Sequence, residues 1–221
     1  MSLDRFIAPL RADRDGDLML CHGFGVAYQA DREDLVPYAD DYFAKCRRND
    51  RSPIAGALNA ARVAFVGRHI GANAVLDVGI GGGAFVQARG RTWGHDVNPR
   101  ALEWLRKAGR LAPNLTDFAG FTFWDVLEHC PDPGEYLDRI GLHRYLFASV
   151  PIFENLFEIR ASRHYRPGEH LYYWTDFGFR QWLGRHGFLV VETSDFESEL
   201  GRDSIRTYAA KRILWPRPPL S

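Results

Sequence analysis

The sequence is poor in features that mark secreted and membrane proteins. It has three cysteines in 221 residues, Cys21, Cys46 and Cys130, which are far apart and form no CxxC pair. An odd number of scattered thiols predicts neither a disulfide framework nor a zinc site and is typical of a reducing compartment. No stretch approaches the ~20 apolar residues of a membrane span, and the first residues show no signal peptide. We therefore expect a cytoplasmic chain with no membrane partner.

The chain also lacks an excess of either charge. Lysine and arginine together number 28, as do aspartate and glutamate, so the formal net charge is zero. Proteins that bind nucleic acids mainly by electrostatics carry a strong positive field. A nucleic-acid partner is therefore not favoured, although a local basic patch stays open. Apolar residues make up 46% of the chain, which predicts a packed core rather than disorder.

Strand and helix patterns alternate through most of the chain. The strand patterns lie at 74–78, 92–97, 111–120, 121–127, 145–150, 188–193 and 204–211. The last two follow one another without room for a crossover helix, which predicts an antiparallel pair. We therefore expect an α/β fold with a doubly wound, Rossmann-like sheet of seven strands in three layers, α/β/α.

Three parts of the chain differ in composition. Residues 1–52 are weakly periodic and predict an N-terminal extension or lid, with a hairpin or loop at 21–28 and an aromatic helix face within 31–48. Residues 53–213 form the main domain, interrupted at 152–174 by an insertion rich in histidine, arginine and aromatics. Such insertions in α/β folds often carry substrate contacts. Residues 214–221, with three prolines, predict a loose tail.

The most informative stretch is a glycine-rich segment after the first buried strand. Residues 79–83 contain four glycines around Ile80 and lead into a helical pattern. Glycine allows tight turns and leaves main-chain N–H groups accessible to a ligand. A turn without a ligand is the simpler alternative. The loose GxGxxA spacing also fits a dinucleotide fold, in which Asp96, at the end of the next strand, would bind the ribose hydroxyls.

Asp77 separates two classes of ligand. A carboxylate beside the glycine loop would repel the pyrophosphate of NAD, whereas it would attract the ammonium group of an amino acid. A ligand with a ribose at one end and an ammonium at the other is S-adenosylmethionine. If Asp77 only accepts hydrogen bonds from loop amides, an NAD-dependent oxidoreductase remains the alternative.

Three motifs in this order resemble those of the class I S-adenosylmethionine-dependent methyltransferases. Residues 75–83 (VLDVGIGGG) resemble the first motif of the family, and 94–99 (GHDVNP) its acidic second motif. Residues 123–133 (FWDVLEHCPDP) are similar to the fourth-strand motif of a large subgroup, and the chain also resembles methyltransferase-like proteins of phages and prophages. The similarity covers about residues 54–212, with Ile80 and Gly82 where cysteine and threonine are common. It implies a seven-stranded sheet with an antiparallel last strand and S-adenosylmethionine as cofactor.

The resemblance also implies the cofactor-binding residues. The main domain would be the S-adenosylmethionine-binding domain, with Asp77 and the glycine loop at the methionine end of the cofactor and Asp96 at the ribose. The full set is Asp77, Gly79, Ile80, Gly81, Gly83, Asp96, Val97 and Asp125.

Methyl transfer needs a base when the acceptor atom keeps its proton near neutral pH. His129, just past the fourth strand, and His170, in the insertion, are the candidate catalytic residues. Imidazole suits this role because its unperturbed pKa is about 6.5. Each histidine could instead hold a loop by hydrogen bonds.

The same region raises a metal-assisted alternative. Asp125, Glu128, His129 and His170 resemble the ligand spacing of the small-RNA 2′-O-methyltransferase family, and such a set can hold Mg²⁺ or Mn²⁺. Asp125 replaces the first glutamate of that family, and similar runs occur in metal-free relatives. We therefore expect no metal, and keep a metal-assisted ribose 2′-O-methyltransferase acting on RNA or a nucleotide as an alternative.

The insertion supplies the acceptor site in this interpretation. Its basic and aromatic side chains could clamp an anionic group and stack against a ring, or they could form a solvated face; the predicted set is Arg163, His164, Tyr165, Arg166 and Tyr172. We therefore predict methyl transfer to an oxygen or nitrogen atom of a small or medium, anionic acceptor. A non-catalytic S-adenosylmethionine-binding module is a further alternative, and the sequence leaves the oligomeric state open.

Overall fold

A computed structural model describes residues 3–31 and 41–214 of the chain. Within these ranges the strands are β1 (Asp13–Asp15), β2 (Leu18–Cys21), β3 (Val26–Gln29), β4 (Val75–Val78), β5 (Thr92–His95), β6 (Gly120–Trp124), β7 (Tyr145–Phe153), β8 (Tyr172–Thr175), β9 (Phe188–Ser194) and β10 (Ile205–Arg212). The α-helices are α1 (Tyr42–Asn49), α2 (Pro53–Ile70), α3 (Ala84–Ala88), α4 (Pro99–Lys107), α5 (Gly134–Asp138), α6 (Asp176–Arg185) and α7 (Phe196–Glu199). The predicted tail after residue 214 lies outside the described residues, as do Leu35, Tyr38 and Ala39, which are half of the aromatic face predicted within 31–48.

Six strands form the doubly wound part of the sheet, in the order β5-β4-β6-β7-β10-β9. The first four are parallel to their neighbours, and β10 runs antiparallel to both β7 and β9. Where a third strand was expected within 111–120, the described chain has a single bridge between Gly94 and Leu111.

The sheet is larger than the predicted seven strands, because the described residues contribute ten. β7 continues to Phe153 instead of ending at 150, and its last two residues pair in parallel with β8. β8 then pairs antiparallel with β3, and β2 and β1 complete the edge. The 152–174 insertion is thus partly a strand, and residues 13–29 extend the same sheet. No local pattern reveals this pairing, since β3 and β8 are distant in the sequence.

Helices on both faces give the three-layer arrangement. Phe65 and Val66 of α2 pack with Phe147 of β7 on one face. Phe179 and Trp182 of α6 belong to the larger core on the other. Among the described residues, no helix combines the length and apolar character needed to cross a membrane.

Helix starts follow the capping residues in the sequence. The hydroxyl of Ser52 accepts a hydrogen bond at the start of α2, and Pro53 takes the first helical position. Asn98 and Thr175 cap α4 and α6 in the same way. These side chains satisfy backbone N–H groups that have no partner within the helix. Asn98 and Thr175 therefore fix where α4 begins after β5 and where α6 begins after β8.

A buried cluster of charged residues, Asp4, Asp138 and His186, connects the N-terminal residues to helix α6. His186, after α6, lies 3.1 Å from Asp4 through Nε2 and 3.1 Å from Asp138 through Nδ1. Burial opposes a charged imidazole, but hydrogen bonds to Asp138 and Asp4 outweigh it and raise the pKa of His186. The backbone N–H of Asp4 donates to the Tyr172 hydroxyl at 3.2 Å, and that hydroxyl donates to the carbonyl of Pro131 at 2.9 Å. The cluster is thus connected to the loop that follows His129.

The His186 cluster predicts a dependence of stability on pH. Because the pKa of His186 is raised above its ordinary 6.5, its contribution is complete below that value and is lost as pH rises through the raised pKa. His186→Gln leaves Asp4 buried without its charged partner, and we expect a loss of about 3 kcal/mol at pH 6. Urea unfolding from pH 6 to 9 should show a steeper decline for the wild type than for the variant. Parallel pH profiles would contradict this assignment.

Candidate functional site

The predicted cofactor residues meet at one edge of the sheet. The glycine loop (residues 79–83) follows β4, Asp96 and Val97 follow β5, and Asp125 follows β6. These strands are parallel, with β5 on one side of β4 and β6 on the other. Their carboxyl ends therefore lie side by side at the point where the strand order reverses. Ligands of open α/β sheets bind in the crevice at such a switch point.

The glycine loop needs its glycines for conformation and for space. Gly79, Gly81 and Gly83 have positive φ angles of 72°, 55° and 87°. A Cβ on Gly79 would lie 2.6 Å from a Val126 methyl, and one on Gly83 would lie 2.6 Å from the Trp104 ring. Larger residues would therefore strain the backbone and displace its neighbours.

Ile80 faces away from the crevice, and its surroundings differ from those of the glycines. Its side chain is buried in a small cluster with Val86, Ala101 and Leu105. The backbone of Ile80, by contrast, is close enough to the Asp96 carboxylate to help lower the pKa of that group. The side chain of Ile80 therefore stabilises the loop by packing in this cluster, whereas its main chain lies near Asp96.

Two predicted acidic residues, Asp77 and Asp96, lie at this edge of the sheet, and burial raises the pKa of both carboxyl groups. Asp77 is 1% exposed, and its Oδ1 accepts a hydrogen bond of 2.6 Å from the Thr122 hydroxyl. Burial raises the pKa of Asp77 to about 7, with Asp96 and Asp50 adding to the rise. Burial also raises the pKa of Asp96, whose Oδ1 accepts from the Asn98 N–H at 2.8 Å. The crevice therefore favours a ligand that brings positive charge, while Val97, 66% exposed, adds apolar surface at its rim.

Asp125 is held by arginines that the sequence analysis missed. Its Oδ2 lies 2.8 Å from Arg202 and 3.5 Å from Arg62, and both arginines also bind the buried Glu197. Burial opposes ionisation of Asp125, but Arg202 and Arg62 lower its pKa below the usual range. Asp125 has a φ of +56°, an unfavourable conformation that the ion pairs hold in place. Its carboxylate was predicted to contact the cofactor, but it faces the two arginines.

Glu128, His129 and His170 form a compact cluster beyond Asp125, in which Glu128 and His170 are buried and His129 is half-buried. One ligating atom of each lies within 4.8 Å of the others. The segments that carry them are joined by two hydrogen bonds: Leu171 N–H donates to the Glu128 carbonyl at 2.7 Å, and His129 Nδ1 contacts the Glu169 carbonyl at 2.9 Å. A carbonyl oxygen only accepts, so Nδ1 of His129 carries the proton and Nε2 keeps its lone pair. The structure thus brings both predicted catalytic histidines together.

The cluster holds polar atoms that lack partners. Within the described chain, neither carboxylate oxygen of Glu128 nor Nδ1 of His170 makes a hydrogen bond. Burial and the nearby Asp125 raise the pKa of Glu128 well above its ordinary value. Burial lowers the pKa of His129, and burial together with His129 lowers the pKa of His170 to about 3. Because buried polar groups are normally paired, this cluster is suited to a cation or to a proton exchanged with a ligand.

The predicted acceptor arginines pair with carboxylates of the chain itself. Arg163 lies 3.2 Å from Asp203, and Arg166 lies 3.4 Å from Glu169. All four side chains are more than half exposed. Exposed ion pairs contribute little to stability, so an anionic ligand could replace either carboxylate without a large loss.

The other three predicted acceptor residues have structural contacts. His164 Nε2 donates to the Asp203 carbonyl at 2.8 Å, and the Tyr165 hydroxyl donates to Asp17. Tyr172 is 1% exposed and stacks against Trp174. In this conformation Tyr172 lies in the core instead of facing an acceptor, because β8 is an interior strand of the extended sheet.

Comparison with known proteins identifies the fold. By sequence, no protein-family model and no curated protein matches the chain. By structure, the chain is similar to a chain of the complex between the Haloferax volcanii Trm112 methyltransferase activator and a methyltransferase (TM-score 0.58, 14% identity, 82% of this chain and 100% of the other). It is similar to a Thermotoga maritima SAM-dependent methyltransferase (0.57, 15%, 78% and 97%), and to the Synechocystis magnesium protoporphyrin IX methyltransferase crystallised with S-adenosylhomocysteine (0.53, 17%, 77% and 93%). At such identities these likenesses show the fold alone, and they confirm the expectation of a methyltransferase-like α/β fold.

The buried Asp77 predicts a stability penalty that a neutral side chain removes. Its pKa rises from 3.8 to about 7 on folding, so folding loses stability as pH increases between those values. Asp77→Asn keeps an oxygen for the Thr122 hydroxyl and removes the charge. We expect the unliganded variant to be more stable than the wild type by at least about 1 kcal/mol at pH 8, which is less than one unit of pKa shift. Urea unfolding at pH 4.5 and 8 measures this difference, which should shrink at the lower pH. A less stable variant at pH 8 would show that the carboxylate is not destabilising.

Proposed function

We propose that the chain is an S-adenosylmethionine-dependent methyltransferase. The observation that carries the proposal is the Asp77 carboxylate, buried near the end of β4, two residues before the glycine loop and close enough to Asp96 for that carboxylate to raise its pKa. This charge favours the ammonium and sulfonium of S-adenosylmethionine and disfavours the pyrophosphate of a dinucleotide. The fold supports the assignment, as does the S-adenosylhomocysteine in the Synechocystis enzyme of the same fold.

The chain's own residues would position the reactants and move a proton. S-adenosylmethionine supplies a methyl group already activated by its sulfonium, so holding the acceptor in line with the methyl–sulfur bond accounts for much of the rate. The acceptor atom forms a bond to the methyl carbon as the carbon–sulfur bond breaks and its electrons return to sulfur. Nε2 of His129, whose lone pair is not used by the Glu169 contact, would accept the acceptor's proton. Because burial lowers the pKa of His129, this imidazole is neutral at physiological pH.

We further propose a small or medium acceptor that carries an anionic group. Arg163 and Arg166 support this class, because their exposed carboxylate partners can be exchanged for a ligand's anion. The cytoplasmic location and the membership in the subgroup with the 123–133 motif remain predictions from the sequence. A non-catalytic binding module and an NAD-dependent oxidoreductase are the alternatives that ligand binding and turnover must separate.

A second candidate function is supported by the unpaired Glu128 carboxylate. Glu128, His129 and His170 would hold a divalent cation, for which one carboxylate and two imidazoles favour Mn²⁺ or Zn²⁺ over Mg²⁺. Asp125, the fourth ligand of the sequence-based hypothesis, is already bound to Arg202 and Arg62. The ion would supply a positive charge for the hydroxyl groups of the acceptor, as in a ribose 2′-O-methyltransferase acting on RNA or a nucleotide.

Cofactor binding is the first test of the proposed function. S-adenosylhomocysteine at 100 times its Kd should stabilise the protein by about 2.7 kcal/mol, equivalent to a Tm increase of about 5–10 °C for a chain of this size. We expect NADH to give no increase, and Asp96→Ala to remove most of the effect of S-adenosylhomocysteine. The exposed Glu103→Ala on α4 is the control and should respond like the wild type.

Ligand-induced changes in Tm and a turnover assay together separate the alternatives. An increase with NADH but not with S-adenosylhomocysteine would identify an oxidoreductase. Binding of S-adenosylmethionine without turnover of any compound in a broad acceptor panel would identify a non-catalytic module.

The metal-assisted candidate predicts stoichiometric binding of Mn²⁺. Bound metal is removed with EDTA, the EDTA is removed, and the protein is titrated with Mn²⁺. Electron paramagnetic resonance should then show one bound Mn²⁺ in the wild type. Glu128→Gln, which retains the shape of the side chain but not its charge, should bind Mn²⁺ at least about 10-fold more weakly. Glu169→Gln, a neighbouring exposed carboxylate, should bind as the wild type does. Absence of binding by the wild type would exclude the metal and leave His129 as the base.

A further inference from the structure

The C-terminal end of α1 lies directly on the glycine loop. A Cβ on Gly82 would lie 2.2 Å from Asp50 Oδ2 and 2.8 Å from the Arg47 backbone nitrogen. Asp50 Oδ2 accepts a hydrogen bond from Ala84 N–H at 3.2 Å, and Arg47 Nη1 donates to the Gly82 carbonyl at 3.2 Å. The glycine at position 82, where the methyltransferase pattern commonly has threonine, is therefore what allows α1 to contact the loop.

This contact adds one charge of each sign to the crevice. The Asp50 carboxylate is close enough to Asp77 to raise its pKa, and burial raises the pKa of Asp50 itself. The Arg47 guanidinium lies 5.2 Å from the centre of the Trp104 ring, beside the loop. In the described part of the chain, Asp50 Oδ1 and the Nε and Nη2 atoms of Arg47 make no hydrogen bond. The two side chains are three residues apart, so they reach the same end of the loop.

An α-amino acid group carries an ammonium and a carboxylate, and this end of the loop presents a carboxylate and a guanidinium. Asp96 is the proposed ribose-binding residue, so the glycine loop is expected to contact the methionine end of the cofactor. We propose that Asp50 and Arg47 bind the ammonium and the carboxylate of the cofactor's methionine end. Residues 41–50 thus belong to the cofactor site, and α1 selects a ligand with an amino-acid group. The inference rests on S-adenosylmethionine being the cofactor.

Two ligands that differ only at this end provide the test. S-adenosylhomocysteine has the amino-acid group, whereas 5′-methylthioadenosine keeps the adenosine and sulfur without it. Asp50→Asn can still accept from Ala84 N–H but has no charge, and Arg47→Gln removes the guanidinium. By isothermal titration calorimetry, each variant should bind S-adenosylhomocysteine about 10- to 100-fold more weakly, the effect of one lost charge-assisted hydrogen bond, and should bind 5′-methylthioadenosine as the wild type does. Arg48→Gln, exposed on the same helix, is the charge-matched control.

The outcomes separate this inference from the proposed function. If α1 only braces the loop, both variants weaken the two ligands equally, and the inference is overturned. Unchanged affinity for S-adenosylhomocysteine in both variants overturns it as well. If the wild type binds neither ligand, the proposed function fails first and this inference falls with it.

Discussion

The site is organised around the carboxylate of Asp77, which the fold buries and which forms no ion pair with a cation of residues 3–31 or 41–214. Asp77 extends from a central parallel strand and receives one short hydrogen bond, from Thr122 on the neighbouring strand. Ionising it inside the sheet is unfavourable, and the flanking carboxylates Asp50 and Asp96 increase the difficulty. A protein that retains such a group gives up stability in the unliganded state. The gain comes when a positively charged ligand occupies the crevice, because the same field then stabilises the complex.

The charges around Asp125 are, unlike that of Asp77, paired with charges of opposite sign. Around Asp125, the carboxylates of Asp125 and Glu197 are balanced by Arg62 and Arg202. These ion pairs hold Asp125, whose φ is positive, at the start of the segment that carries Glu128 and His129. In the insertion, Arg163 and Arg166 are likewise paired with carboxylates, those of Asp203 and Glu169. On the cofactor side and at Glu128, by contrast, burial raises the pKa of the carboxyl groups of Asp50, Asp77, Asp96 and Glu128.

Much of the fold was predictable because its signals are local. The strand, glycine loop and capping residues of β4 to α4 are consecutive in the sequence, and each has its own physical reason, such as Pro99 at the start of α4. The residues of the crevice were predictable as well, since parallel strands bring their carboxyl ends together at one edge of the sheet. The pairing of β3 with β8 was not predictable, because edge pairing depends on backbone groups that any sequence offers. The contact between Asp50 and the glycine loop was missed for a related reason: a charged residue at the end of a helix has no distinguishing local pattern.

The sequence by itself determined the alternation of strands and helices, the position of the glycine loop, and the acidic residues at the ends of β4 and β5, because periodicity and backbone freedom act between near neighbours. Only the tertiary structure decided which charges meet. It gave Asp125 to two arginines, placed Tyr172 in the core, and brought His170 against His129 through the backbone contacts of Glu128 and Glu169. Electrostatic interactions depend on distance in space and on burial, and neither quantity can be read from the order of residues along the chain.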